Sequence, residues 1–534
     1  MRSSHHPFAL TFCLFSFLSA MRTSQFVKIP LPWSRTEVLL PLALMVLTFL
    51  LKLPFWSRPL DMDEGLYAYG GWQMLEGLVL YRDLWDFKPP GTYFLNAFAF
   101  LVGSPEAVNV YIWAALFSSS ACLGLYRTAG IMWGRAAAVL SAILFALFSV
   151  SPYIQGCGVN TEVFMITPLA WGFYAIIRGL EEGRRRWYVF SGLLIGTAIL
   201  FKQVAGVGVL LGLFVAHYNT KQGRLTQREA LLSLSVFAGG CALPWFVACC
   251  YFAFHGALGD LYFWLVEYPS RYMNFTFGYL TPNLVYPRIG WVLQGTWTLW
   301  VLSIAALPLV MRRSASCPER VLAIFFFLCL LGITAGWNFF PHYFIQLLPA
   351  MVLLSVKAVL SVYSLLSARS ARVGLLLCSG VILCIVLLYG KNHYKIYTTY
   401  TGDDISVEEN RWGFGGDSSL FVAARKLGLD LRRNTRSNET IFVWKHHPEI
   451  NFYALRKTPV RSPIMSLPRL PVMRPQAIQD MQRNNPDYIV LFDLLSPFRF
   501  EELTSFLQNR YVKVYGINGL VFAEQGVYKR KPNE

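Results

Sequence analysis

Eleven apolar runs dominate this chain, at 37–56, 106–126, 136–153, 162–178, 187–201, 203–217, 230–254, 289–311, 320–337, 343–366 and 373–390. A helix needs about 20 predominantly apolar residues to cross a bilayer. In hydrocarbon only helices and closed barrels satisfy their own backbone hydrogen bonds, so runs of this length select helices. Composition agrees: 55% of the 534 residues are hydrophobic and only 14% are charged. Aromatic residues reach 16%, in keeping with Trp and Tyr belts at both membrane interfaces. The net charge of +17 comes from Lys and Arg in short clusters between the apolar runs. Such clusters set membrane orientation and do not form a nucleic-acid surface, so no nucleic-acid partner is expected. The expected class is an α-helical polytopic membrane protein of about 11–13 transmembrane helices, with a C-terminal α/β domain.

The basic clusters orient the chain. "YRTAGIMWGR" (126–135), "RGLEEGRRRW" (178–187), "HYNTKQGRLTQRE" (217–229), "MRRSASCPER" (311–320) and "SARSAR" (367–372) are expected on the cytoplasmic side. They all fall there if the N-terminus is inside and the short run 92–102 does not cross. Residues 1–36 then form a cytoplasmic segment, of which 8–19 resemble a signal h-region and stay unassigned; Met21 is an equally good start. Residues 37–391 form the membrane domain, with a first outer loop at 57–91. Residues 392–534 form an extracytoplasmic domain. The location expected is the plasma (inner) membrane. None of the ten cysteines has the spacing of a zinc site, and most lie in apolar runs as small buried hydrophobes.

Beyond 392 the sequence turns polar and alternates. "TIFVW" (440–444), "DYIVLF" (487–492), "YVKVYG" (511–516) and "LVFAE" (520–524) read as strands. Segments 418–432 and 500–508 have helical spacing. The proline-rich 459–475 reads as an irregular loop, and "WKHHPEINFY" (444–453) as an ordinary one.

The first outer loop, "DMDEGLYAYGGWQMLEGLVLYRDLWDFKPPG" (61–91), concentrates six acids: Asp61, Asp63, Glu64, Glu76, Asp83 and Asp86. Most acids in such a run are solvated. Asp63 and Glu64 differ because they follow the first span directly, among Tyr67, Tyr69 and Trp72. Leu66, Tyr69, Trp72 and Leu75 recur as in a helix lying on the membrane interface. Lys88 precedes two prolines whose rigid turn returns a cation to the membrane surface. Orientation brings Asn160, Glu162, Lys202, Gln203, Arg271 and His342 to the same outer face. An anion held by Lys88 and Lys202 opposite a carboxylate base is a phosphate-binding arrangement. The ordinary reading of each is also open. Glu162 pairs locally, Lys202 snorkels, His342 bonds at the interface, and Arg271 is structural beside Tyr268 and Tyr272.

"DEGLYAYGGWQML…LYRDLWDFKPPG", "GVNTEVFM" (158–165) and "FFPHYFIQLLPAMVLLS" (339–355) resemble the corresponding segments of GT-C fold glycosyltransferases. These are the polytopic enzymes related to dolichyl-phosphate-mannose protein mannosyltransferases and to the lipid A aminoarabinose transferase. The resemblance implies a polyprenyl-phosphate sugar donor and an inverting transfer to lipid A, a polysaccharide or a protein. It places the catalytic carboxylate on Asp63, with Glu64 beside it, and a secondary acid on Glu162. It sets Lys88 near the donor phosphate and matches His342 and Tyr343 to a third motif. Tyr67, Lys202 and Arg271 complete the substrate-binding candidates. Asp61 and Asp63 have the DxD form at which a divalent metal would sit; metal use stays open, and no other cofactor is expected. A transporter or flippase for a lipid-linked saccharide is the alternative, and a non-catalytic envelope scaffold a third reading.

Overall fold

The structure is a computed structural model. It describes residues 35–270, 282–335, 337–368, most of 370–390, 418–444, 447–462, 470–492, 501–515 and 526–532. The chain forms two compact units. The first comprises the described parts of Met1–Trp56, Tyr111–Val247 and Leu280–Ile405; the second comprises those of Ser57–Val110, Ala248–Tyr279 and Ser406–Glu534.

The first unit is helical. Among the described residues, seven helices are long and apolar enough to cross a membrane: Val38–Ser57, Ala107–Trp133, Thr161–Glu182, Gln227–Phe254, Val285–Met311, Cys317–Thr334 and Pro341–Ser367. The expected spans at 136–153, 187–201 and 203–217 are helices of 14, 17 and 15 residues. At 1.5 Å per residue these are about 21–26 Å long, short of a hydrocarbon core of about 30 Å. The Thr161–Glu182 and Arg185–Phe201 helices pack along one another. Gly192 and Gly196 then let the second of them touch the Gln227–Phe254 helix backbone to backbone. A Cβ on Gly192 would lie 2.1 Å from the Phe237 carbonyl oxygen, and one on Gly196 would lie 2.3 Å from that of Cys241. Small residues four apart are a standard device for close helix contact in lipid, where apolar burial gives no preference for protein over solvent.

The second unit is built round a four-stranded sheet. Strands β1 (Ile441–Trp444), β2 (Tyr488–Leu491), β3 (Tyr511–Tyr515) and β4 (Gly526–Arg530) lie in the order β1-β2-β4-β3. β1 and β2 are parallel, and β4 runs antiparallel to both β2 and β3. Helices cover both faces. Phe442, Trp444, Ile489 and Leu491 pack toward Ala477, Met481, Phe506 and Leu507. Ile441, Val443, Tyr488 and Val490 pack toward Ala424, Leu427, Leu431 and Ile450. Burial on both faces is why β1 and β2 read as continuous apolar runs rather than alternating ones.

Three expected strands and both expected helices of this region are present. The fourth strand is at 526–530, and the expected 520–524 lies outside the described residues. The irregular stretch at 459–475 is shorter than expected. A helix starts at Leu470, with Pro471 in its first turn, where a missing N–H leaves no intrahelical bond unmade. "WKHHPEINFY" is no loop either, because Pro448–Ala454 is a helix with every residue buried.

That helix packs on the start of the acidic loop. The loop's helix, Met62–Leu75, is enclosed rather than laid on an interface: Leu66, Tyr67, Ala68 and Tyr69 are all buried. It sits against the Gly91–Val102 helix and against Pro448–Ala454. A Cβ on Gly65 would come 2.4 Å from the Glu449 Cβ, so only glycine permits this approach. The Tyr453 hydroxyl accepts from the Leu60 N–H at 2.8 Å, the Tyr69 hydroxyl accepts from the Thr458 N–H at 2.9 Å, and Arg425 donates to the Ser57 carbonyl at 2.7 Å. The tail and the first loop are therefore one folded body.

Candidate functional site

Five of the six loop acids have structural partners. Asp61 is the N-cap of Met62–Leu75 and accepts from the Glu64 N–H at 2.9 Å, while the Glu64 carboxylate accepts from the Asp61 N–H at 3.0 Å. This reciprocal capping box is legible in the D-x-x-E spacing. Glu64 also takes the Arg58 guanidinium at 2.7 Å, with both side chains at most 2% exposed. A buried pair of this kind is costly to break, because the surviving partner keeps an uncompensated charge. Asp83 accepts from Arg82 at 2.8 Å and from the Val79 N–H at 2.9 Å. The buried Asp86 accepts from the Tyr93 hydroxyl at 2.9 Å. Glu76 lies 3.9 Å from Lys457 on the surface. Burial pushes Asp61 well above the usual carboxylate range, reinforced by Glu64 and Asp63 and opposed by Arg58. Burial also pushes Asp83 upward, but its bonds to Arg82 and to the Val79 N–H outweigh this and hold it below its ordinary value.

Asp63 is the sixth. Its Oδ2 lies 2.6 Å from Lys88 Nζ, with the side chains 31% and 16% exposed. The lysine ammonium stands 5.0 Å from the centroid of the Tyr67 ring, which meets Tyr93 edge-on at 5.4 Å. The Tyr81 hydroxyl donates to the Lys88 carbonyl at 2.7 Å and fixes the backbone just before the two prolines. The pair thus combines a half-buried base, a cation and an aromatic wall, held by a rigid turn. That set can take a proton from a hydroxyl and hold a phosphate oxygen.

The membrane unit gathers a second cluster. Glu162, in the first turn of Thr161–Glu182 behind the N-cap Asn160, is fully buried. Its Oε1 pairs with Lys202 Nζ, and its Oε2 accepts from the Thr161 hydroxyl at 2.8 Å. His342 Nε2 lies 3.8 Å from the same Oε1. Lys202 Nζ stands 3.9 Å from the centroid of the Tyr343 ring. His342 stacks on Phe340, whose ring also carries the Arg288 guanidinium at 4.2 Å. Glu162, Lys202 and His342, which the sequence grouped on one face, are therefore neighbours, with Tyr343 beside them.

Arg271 lies outside the described residues. Among the described residues no group of three or more His, Cys, Asp or Glu side chains is placed to hold a metal ion, and Asp61 is engaged by its cap. Sequence reasoning missed the roles of Arg58, Gln155 and Arg288. Only Arg58 carried a signal, as the cation directly before a capping box.

The chain is an integral multi-pass membrane protein, and its fold is the GT-C fold, on its likeness to two solved structures. ArnT from Cupriavidus metallidurans, solved bound to undecaprenyl phosphate, superposes with a TM-score of 0.58 at 14% identity, over 93% of this chain and 98% of that one. The Archaeoglobus fulgidus oligosaccharyltransferase in its apo form superposes with a TM-score of 0.52 at 12% identity, over 86% of this chain and 70% of that one. In sequence, the family model described as dolichyl-phosphate-mannose-protein mannosyltransferase matches residues 87–247. A putative mannosyltransferase, YycA of Bacillus subtilis, is 24% identical over 162 residues, which is 30% of this chain; the chain spans about a quarter (24%) of that relative's length. The resemblance read from the loop motifs is borne out in fold and in the family match.

Proposed function

We propose that this protein transfers a sugar from a polyprenyl-phosphate donor to a hydroxyl of a cell-envelope acceptor at the outer face of the membrane. The acceptor oxygen attacks the anomeric carbon, and Asp63 takes the hydroxyl proton. The bond from that carbon to the phosphate oxygen breaks, and the polyprenyl phosphate leaves with the electron pair. Lys88 stabilises the charge that develops on it. A single displacement of this kind inverts the anomeric centre. Glu64 holds the helix start that carries Asp63. In the membrane unit, Glu162 orients Lys202, and Lys202, His342 and Tyr343 bind substrate.

The observation that carries this reading is the 2.6 Å pairing of Asp63 with Lys88 in the loop. Lys88 also lies inside the matched family segment. The undecaprenyl phosphate bound to ArnT supports the donor class. The test is sugar transfer by the purified full chain from undecaprenyl-phosphate sugars, with mass spectrometry of envelope glycans from cells with and without the protein to identify the acceptor. Identical glycans in both cells, and no turnover of any donor, would remove the reading.

A further inference from the structure

Lys52 lies near the end of the first span, and its ammonium is buried. Its only hydrogen-bond partner among the described residues is the Gly156 carbonyl oxygen, 104 positions away. An ionisable group inside a membrane span is costly and generally marks function. Here the cation fastens the turn Pro152–Gly158 and not the acid cluster itself. The adjacent residue, Gln155, is held in the left-handed conformation at φ 52°, which a side chain other than glycine adopts only under constraint. Its Oε1 lies 2.6 Å from His342 Nδ1. An amide oxygen only accepts, so the ring proton sits on Nδ1 and Nε2 is left facing Glu162 Oε1 at 3.8 Å.

A buried clamp, a constrained backbone and a short hydrogen bond thus converge on one imidazole. We propose that Gln155 is a positioning residue for substrate binding. It fixes the plane of His342 by engaging Nδ1–H, which keeps the Nε2 edge of the ring on the side of the Glu162–Lys202 pair, and Lys52 holds the turn that carries Gln155. Imidazoles bound at functional sites are commonly oriented in this way by the partner of their second nitrogen. The inference rests on the proposed transferase reading.

The experiment is a double-mutant cycle on the purified full chain, assayed for transfer from an undecaprenyl-phosphate sugar, with thermal unfolding as a check on folding. Gln155→Leu removes the acceptor and should raise the donor KM about tenfold, the effect of one lost hydrogen bond at a partly buried ring, with kcat little changed. Gln155→Glu keeps an acceptor oxygen and should stay near the wild-type KM. In a His342→Ala background Gln155→Leu should add nothing, because its partner is already gone. A wild-type KM for Gln155→Leu, or a full additional loss on top of His342→Ala, would overturn the positioning role while leaving the transferase reading intact. Absence of transfer by the wild-type chain would remove both.

Discussion

Lys88 Nζ and Asp63 Oδ2 stand 2.6 Å apart across 25 residues of loop. The proposed proton acceptor and the proposed phosphate partner thus stand side by side in the loop.

Asp63→Asn keeps the size of the side chain and removes its basicity. Transfer should fall by about 10²–10⁴-fold, the usual contribution of a general base. Asp83→Asn, whose partners are Arg82 and a backbone N–H, should cost far less. Initial rates with protein level matched by blot decide the point. A wild-type rate for Asp63→Asn would remove the central residue of the mechanism.

Lys88→Met removes the phosphate partner and leaves the proton acceptor. The donor KM should rise by more than tenfold, and the acceptor KM should hardly move. Lys88→Arg should recover part of the loss, since it keeps a cation but with forked geometry in place of a point charge. A larger effect on the acceptor KM than on the donor KM would place Lys88 on the wrong substrate.

Asp61 gives a pH test of stability. Its folded carboxyl is raised above its unfolded value, so the folded state favours the protonated form. The stability this confers is present below the unfolded value and is lost as pH rises through the raised one. Asp61→Asn retains a good N-cap and removes the titration. Its melting temperature in detergent should vary less between pH 4 and 8 than that of the wild type. Parallel curves for the two proteins would contradict the shift.

Gly65→Ala places a Cβ 2.4 Å from that of Glu449 and 2.7 Å from the Glu449 Cα. Backbone cannot give way as the end of a flexible side chain does. A loss of about 1–3 kcal/mol is expected, as for other overpacked contacts, seen as a lower melting temperature. The same substitution at Gly77, where nothing lies within 4 Å, meets no neighbour and is strained only by its φ of 92°.

Orientation is testable by labelling intact cells in a cysteine-free background. Arg433→Cys, in the sheet-bearing unit, should react with an impermeant maleimide. Ser314→Cys, in a basic cluster, should react only after permeabilisation. The reverse pattern would place Asp63 on the cytoplasmic side.

The sequence alone was enough for the seven long membrane helices among the described residues, because a backbone in hydrocarbon has no partner but itself; it did not show that the helices at 136–153, 187–201 and 203–217 are too short to cross unaided. It was also enough for β1, β2 and β3 and for the helices at 418–434 and 501–510, where local periodicity and turn residues agree with the final packing. It singled out the acidic loop and, by resemblance, Asp63 and Lys88. It could not tell that Asp61, Glu64, Asp83 and Asp86 are taken by Arg58, Arg82, Tyr93 and backbone N–H groups, since an acid's partner is a matter of position and not of composition. The enclosure of Met62–Leu75 by the Pro448–Ala454 helix was equally invisible, because the contact at Gly65 joins residues nearly 400 positions apart. So was the meeting of Gln155, Glu162, Lys202 and His342, which is made only when three segments of the membrane unit pack together. Local pattern fixes which elements form; which side chains face one another is decided by long-range close packing, and the proposed chemistry lies in those encounters.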